Sequence, residues 1–169
     1  MGSALIRGAL GAALALVTVV ALLAVRDNER VLTDGRVVLA ELAPVDPRSL
    51  MQGDYMALRY AVDNELAASL SGAEAPPPAY AQLELDEAGR AHFAGTGDRL
   101  PAAAHRVAMK LRRRDGGYSI GPNAFFFQEG TAAAFAGARW GEFRVDAGGK
   151  ALLTHLRDEQ LQRLGEIRR

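Results

Sequence analysis

Trp140-Gly-Glu-Phe-Arg-Val145, Asp146-Ala-Gly-Gly149 and Ala151-Leu-Leu-Thr-His-Leu156 decide the fold class. The first and last segments carry the apolar and β-branched residues of strands, and the middle one carries the Asp and Gly of a tight turn. Together they read as a β-hairpin. The same grammar recurs upstream. Ala81-Gln-Leu-Glu-Leu85 alternates, Asp86-Glu-Ala-Gly89 turns and Ala91-His-Phe93 returns. Arg106 to Arg112 places Val107, Met109 and Leu111 on one face, Asp115-Gly116-Gly117 turns the chain, and Tyr118-Ser-Ile120 begins a return strand. Nearer the N-terminus, Val37 to Leu42 and Tyr55 to Val62 read as strands that pair with each other. Short helices are expected at Asn64 to Leu70, at Thr131 to Arg139, and at Glu159 to Leu164 with Asp158 as the cap. Ser71 to Pro78 ends in three prolines, which donate no ladder hydrogen bonds, and reads as an exposed loop within the domain.

Ahead of this β-rich region, Gly8 to Val25 contains no charge and lies between Arg7 and Arg26. As a helix it covers about 27 Å, enough to cross the hydrocarbon of a bilayer. A cleaved signal peptide needs small residues three apart at its end. Leu22 with Ala24, or Ala21 with Leu23, puts a leucine in one of those places, so an uncleaved anchor is the better reading. Arg26, Arg30 and Arg36 follow the span, and counted alone they would hold the domain in the cytoplasm. A short N-terminal tail before a long folded segment is the signal-anchor plan, however, and large domains translocate with little regard to charge. The expected organisation is an anchor over residues 1–26, a polar stalk over 27–35 that ends in Thr33-Asp34-Gly35, and one domain over 36–169 facing out of the cytoplasm. The fold class is therefore mainly β with a few short helices, an antiparallel sheet or partly open β-barrel preceded by one N-terminal transmembrane helix.

Composition narrows the function classes. The 169 residues have a formal net charge of zero, so no one-signed field gathers nucleic acid. There is no cysteine, which excludes disulfides and thiolate metal sites. His92, His105 and His155 lie in separate segments without a paired metal-ligand spacing, so neither a metal nor a cofactor is expected.

The most specific string is Gly53-Asp54-Tyr55-Met56-Ala57-Leu58-Arg59-Tyr60. Gly53 permits a sharp turn and Asp54 can accept hydrogen bonds from turn amides. The alternation that follows puts Tyr55, Ala57 and Arg59 on one face and Met56, Leu58 and Tyr60 on the other. At every defined position it resembles the string for which the bacterial GDYXXLXY family is named. The resemblance extends to the N-terminal apolar segment, Asp46-Pro47-Arg48, Phe125-Phe-Phe-Gln-Glu-Gly130 and Trp140-Gly141-Glu142. It implies an envelope protein of a kind often encoded near multi-pass membrane proteins; the expected location is the inner membrane and the expected partner a multi-pass membrane protein. It implies no activity, cofactor or catalytic residue.

Asp54, Tyr55, Arg59 and Tyr60, with Leu58, form either a contact surface or a turn and its packing, and packing is the plainer reading. Asp54, Glu129 and Glu142 are candidates to converge as an acid/base pair or cation site. The plainer reading is that each caps a turn or pairs with Arg59, Arg139 or Arg144. Of Phe125, Phe126 and Phe127, at most two share a strand face, and core packing is expected for them. A second resemblance, to the β-rich catalytic domain of membrane-anchored signal peptidases, aligns Gly53-Asp54, Lys110 and Trp140-Gly141. The serine such enzymes need is missing, because Ser49 stands too close to Gly53 and lacks the methionine and proline neighbours. Lys110 reads as a solvent-facing strand residue. The leading expectation is a non-catalytic, membrane-anchored envelope protein whose β domain binds a membrane protein. The alternative is a divergent signal-peptidase-like or carboxylate-based hydrolase.

Overall fold

The computed structural model describes residues 2–43, 51–52, 55–71, 77–114 and 117–165. Ser49, Asp46-Pro47-Arg48, the Gly53-Asp54 pair, Asp115-Gly116 and most of the proline-bearing loop lie outside the described residues.

Helix α1 runs from Gly2 to Asp34 without a break. Expected to end near Arg26, it instead carries the polar stretch 27–34, because those residues gain a surface to lie against. Val31 is buried against the domain. Gly35 ends the helix, donating its N–H to the Val31 carbonyl at 3.0 Å. The chain then enters β1 (Arg36–Glu41).

β1 pairs with β10 (Trp140–Val145), which pairs with β11 (Ala151–Arg157), all antiparallel. A second sheet holds β2 (Met51–Gln52), β3 (Tyr55–Ala57) and β9 (Ala124–Phe126). A third has the order β5-β4-β6, from Ala91–Gly97, Tyr80–Leu85 and Arg106–Lys110. β7 (Arg112–Arg114) and β8 (Gly117–Ser119) form a small hairpin. The fold is thus mostly β with antiparallel sheets, and the sheets do not close into a barrel.

One core serves the three larger sheets. Val38, Ala40, Phe143 and Leu156 from the first meet Met56 from the second, Leu58 just beyond its β3 strand, and Ala81, Leu83 and Met109 from the third. Helix α2 (Ala61–Leu70) buries Val62 and Leu66, one turn apart, and Val62 joins the same cluster.

Several expectations are corrected. The strand read over Tyr55 to Val62 stops at Ala57, and α2 starts at Ala61, with Asp63 in its first turn where the helix dipole favours a carboxylate. β1 and β3 do not pair; a single bridge between Leu42 and Tyr60 joins their ends. β7 and β8 pair with each other, but Arg106 to Lys110 takes no part in that hairpin and pairs with β4. Asp158 caps no helix. Its carboxylate accepts from the Gln162 N–H at 2.8 Å in a turn that returns the chain to β11, where Leu164 N–H donates to the Leu156 carbonyl at 2.8 Å. At 131–139 a short 3-10 turn, Ala132–Phe135, stands where the helix was expected.

Candidate functional site

The motif strand alternates as its sequence requires. Met56, Leu58 and Tyr60 are buried, whereas Tyr55 and Ala57 are partly exposed and Arg59 is exposed. The alternation persists past Ala57, where the sheet ladder has ended, because Leu58 N–H still donates to the Asn123 carbonyl at 2.7 Å. Tyr60 closes the motif. Its ring packs on Phe143 at 5.5 Å between centroids, and its hydroxyl donates to the Pro122 carbonyl at 2.9 Å. Burial, reinforced by the negative charge of Asp63, pushes its phenol well above the usual range, so it stays a neutral donor. Gly121 passes over this pair so closely that a Cβ there would stand 2.6 Å from Phe143 and 2.8 Å from Tyr60.

Asp63, one turn into α2, ties the motif to β8. Its Oδ2 accepts from the Ser119 hydroxyl at 2.7 Å and its Oδ1 accepts from the Ile120 N–H at 3.1 Å. Burial raises its pKa, partly offset by those two donors. Sequence reasoning missed this connection, because nothing near Asp63 announces a partner 56 residues away.

The other face of the motif strand offers a surface. Tyr55 stands opposite Phe126 in the β3–β9 register, with ring centroids 5.8 Å apart. Phe126 is 75% exposed. Its neighbours Phe125 and Phe127 point inward onto Phe135, at 5.4 Å and 5.2 Å. Two of the three phenylalanines pack on the core and the third faces solvent, as strand alternation demands.

Glu142 occupies a different place from the one expected at a turn or strand end. Its side chain is fully buried within β10. Oε2 accepts from Arg157 Nε at 2.6 Å and Arg163 Nε at 3.0 Å, and Oε1 accepts from Arg163 Nη2 at 2.8 Å. His155 Nδ1 lies 3.8 Å from Oε1. Burial works to raise the carboxyl pKa, but the arginine hydrogen bonds outweigh it and hold the value at about 2. The expected partners, Arg139 and Arg144, are engaged elsewhere: Arg139 lies 4.0 Å from Glu41, and Arg144 donates to the Gly35 carbonyl at 3.0 Å. Glu129 is exposed in the turn before Gly130. Of the two candidate carboxylates among the described residues, Glu142 is locked between arginines and Glu129 faces water; Asp54 lies outside the described residues. No group of three metal-binding side chains forms among the described residues.

The model of the GDYXXLXY protein family matches residues 17–156. This chain belongs to that family. The match covers the C-terminal half of α1 and the sheets as far as Leu156 in β11, so the motif, the phenylalanine strand and Glu142 all fall within the GDYXXLXY region. No curated protein and no solved structure matches the chain.

Proposed function

We propose that the protein is a non-catalytic, membrane-anchored protein of the bacterial envelope, with its β domain outside the cytoplasm and a multi-pass membrane protein as its partner. The carrying observation is the state of α1. Its apolar side chains are exposed throughout, with Leu10 at 65%, Leu14 at 69% and Val17 at 66%, and between Ile6 and Arg30 none is buried. An apolar surface of that length calls for lipid, and the helix is long and apolar enough to cross a membrane.

Tethering supplies the argument for a membrane-embedded partner. Confining both proteins to one bilayer raises their effective concentration, so a small contact surface suffices. The Tyr55–Phe126 pair is such a surface, aromatic and presented on the family's motif strand. The hydrolase alternative draws no support from Lys110, which is exposed at the end of β6.

Two measurements test this reading. Alkaline phosphatase fused after Arg169 should be active, and activity from a cytoplasm-dependent reporter alone would overturn the orientation. A membrane protein should co-purify from mild detergent and be lost with Phe126→Ala at unchanged melting temperature. Retention of that protein by the variant would remove the aromatic pair from the contact.

A further inference from the structure

The outer end of α1 touches the β domain along one stripe. Asp27, Val31 and Gly35 stand four residues apart, so they lie in a row on a single helix face. At the bottom of the row the Lys150 ammonium bonds the Asp27 carboxylate. In the middle Val31 is buried. At the top Gly35 abuts Val145 and gives its carbonyl to Arg144. The β10–β11 hairpin therefore runs back down the helix, with Val145 beside Gly35 and Lys150 beside Asp27. An open cleft between the two is lined by Asp27, Arg30, Asp146 and Ala147.

Helix geometry converts this register into height. The uncharged run ends at Val25. At 1.5 Å per residue, Asp27 stands about 3 Å beyond it, Val31 about 9 Å and Gly35 about 15 Å. The headgroup region on each side of a bilayer is about 5 to 8 Å deep. The Lys150 end of the turn, paired with Asp27, reaches into that layer, and Asp146 and Ala147 stand above it, along the cleft that runs from Asp27 and Arg30 up to Asp34 and Gly35. β10 then rises away from the layer, because six strand residues add about 17 Å between Val145 and Trp140. Glu41, the register partner of Trp140, marks the far end.

The chemistry of the lower end fits phosphate. Of the 20 basic residues only two are lysines, Lys110 and Lys150. Both sit here: Lys110 N–H donates to the Gly149 carbonyl at 2.8 Å, and its charge acts on Asp27 along with that of Arg30. A compact ammonium group suits a single phosphate oxygen, and Lys110, exposed at the end of β6, presents one, while the Lys150 ammonium is held by Asp27. Asp146, the nearest acid in the turn, is occupied in capping it, accepting from Gly148 N–H and Lys150 N–H at 2.8 Å each. Leu100, 46% exposed, lines a neighbouring cleft with Ala147 and offers an apolar side chain on the same side.

We infer that the β10–β11 turn is a second membrane-contact surface, its Lys150 end seated in the lipid headgroup layer, so that the domain stands upright on the bilayer instead of hanging from a stalk. This rests on the reading of α1 as a membrane anchor. The test uses the full chain in phosphatidylcholine–phosphatidylglycerol vesicles, with single fluorophores on Leu14→Cys, Ala147→Cys or Glu41→Cys, which the absence of native cysteine permits. The Leu14 label should be quenched by bromine in the acyl chains, and the Ala147 label at least fivefold more than the Glu41 label by a quencher fixed to the headgroup. If Leu14 is quenched but Ala147 and Glu41 respond alike, the seat is overturned and the anchor stands. If Leu14 is not quenched, the anchor reading falls and takes the seat with it.

Discussion

Tyr60 and Glu142 show what single residues do here. Removing the Tyr60 hydroxyl leaves the ring packing on Phe143 but strands the Pro122 carbonyl. Tyr60→Phe should cost about 1 kcal/mol in denaturant unfolding, and a change within 0.3 kcal/mol would mean the carbonyl finds another donor. Glu142 makes a pH prediction. Its folded pKa lies below the ordinary 4.5, at about 2, so its stabilisation is present above the ordinary value and is lost as pH falls toward the folded value. Unfolding free energy should therefore drop between about pH 4.5 and pH 2, by on the order of 3 kcal/mol from this group. Glu142→Gln should flatten that limb and lower stability at pH 7 by a few kcal/mol, because two part-buried arginines lose their shared negative charge and one of its two acceptor oxygens becomes a donor. An unchanged acid limb in the variant would assign the loss to other carboxylates.

At the scale of elements, the junction of α1 with β1 is the sensitive joint. A Cβ on Gly35 would run into the Val31 carbonyl and stand 3.1 Å from the Val145 nitrogen. Those are backbone atoms and cannot rotate aside. Gly35→Ala should therefore destabilise the domain by roughly 1–3 kcal/mol, seen as a lower melting temperature. The contact between helix and hairpin should loosen too, so that a disulfide engineered between Asp27→Cys and Lys150→Cys forms more slowly. An unaltered rate would show that the joint flexes without cost. The same element logic explains the C-terminal segment: Arg163 reaches Glu142 only because residues 158–162 turn back, with Leu161 at φ 62°. A helix there would have carried Arg163 away from the sheet.

For the whole molecule, one continuous core predicts one cooperative unit, and the buried Val31 places the domain's lower boundary inside α1. A fragment beginning at Asp27 should unfold in a single transition and be more stable than one beginning at Arg36, by about 1.5 to 3 kcal/mol for the valine side chain. Equal stabilities would return the boundary to Arg36. A molecule standing upright on the bilayer also sets Glu41 and Trp140 at its outer end, which distinguishes that end from the membrane-side turn.

Local sequence determined the elements whose cause is local. The uncharged run, the turns at Asp86–Gly89 and Asp146–Gly149 and the alternation of Met56, Leu58 and Tyr60 depend on periodicity and turn chemistry, and they stand in the structure where the residues put them. The motif string likewise carried the family. What distant partners decide was not legible. Residues 27–34 stay helical because Lys150 pairs with Asp27 and Val145 lies beside Gly35, and β6 abandons its hairpin neighbour because β4 offers a longer ladder. Arg163 turns back because a buried carboxylate awaits it, with 21 residues separating the two in sequence. Such choices are made by burial and charge pairing between segments that meet only once the chain has folded, and a one-dimensional pattern has no term for them.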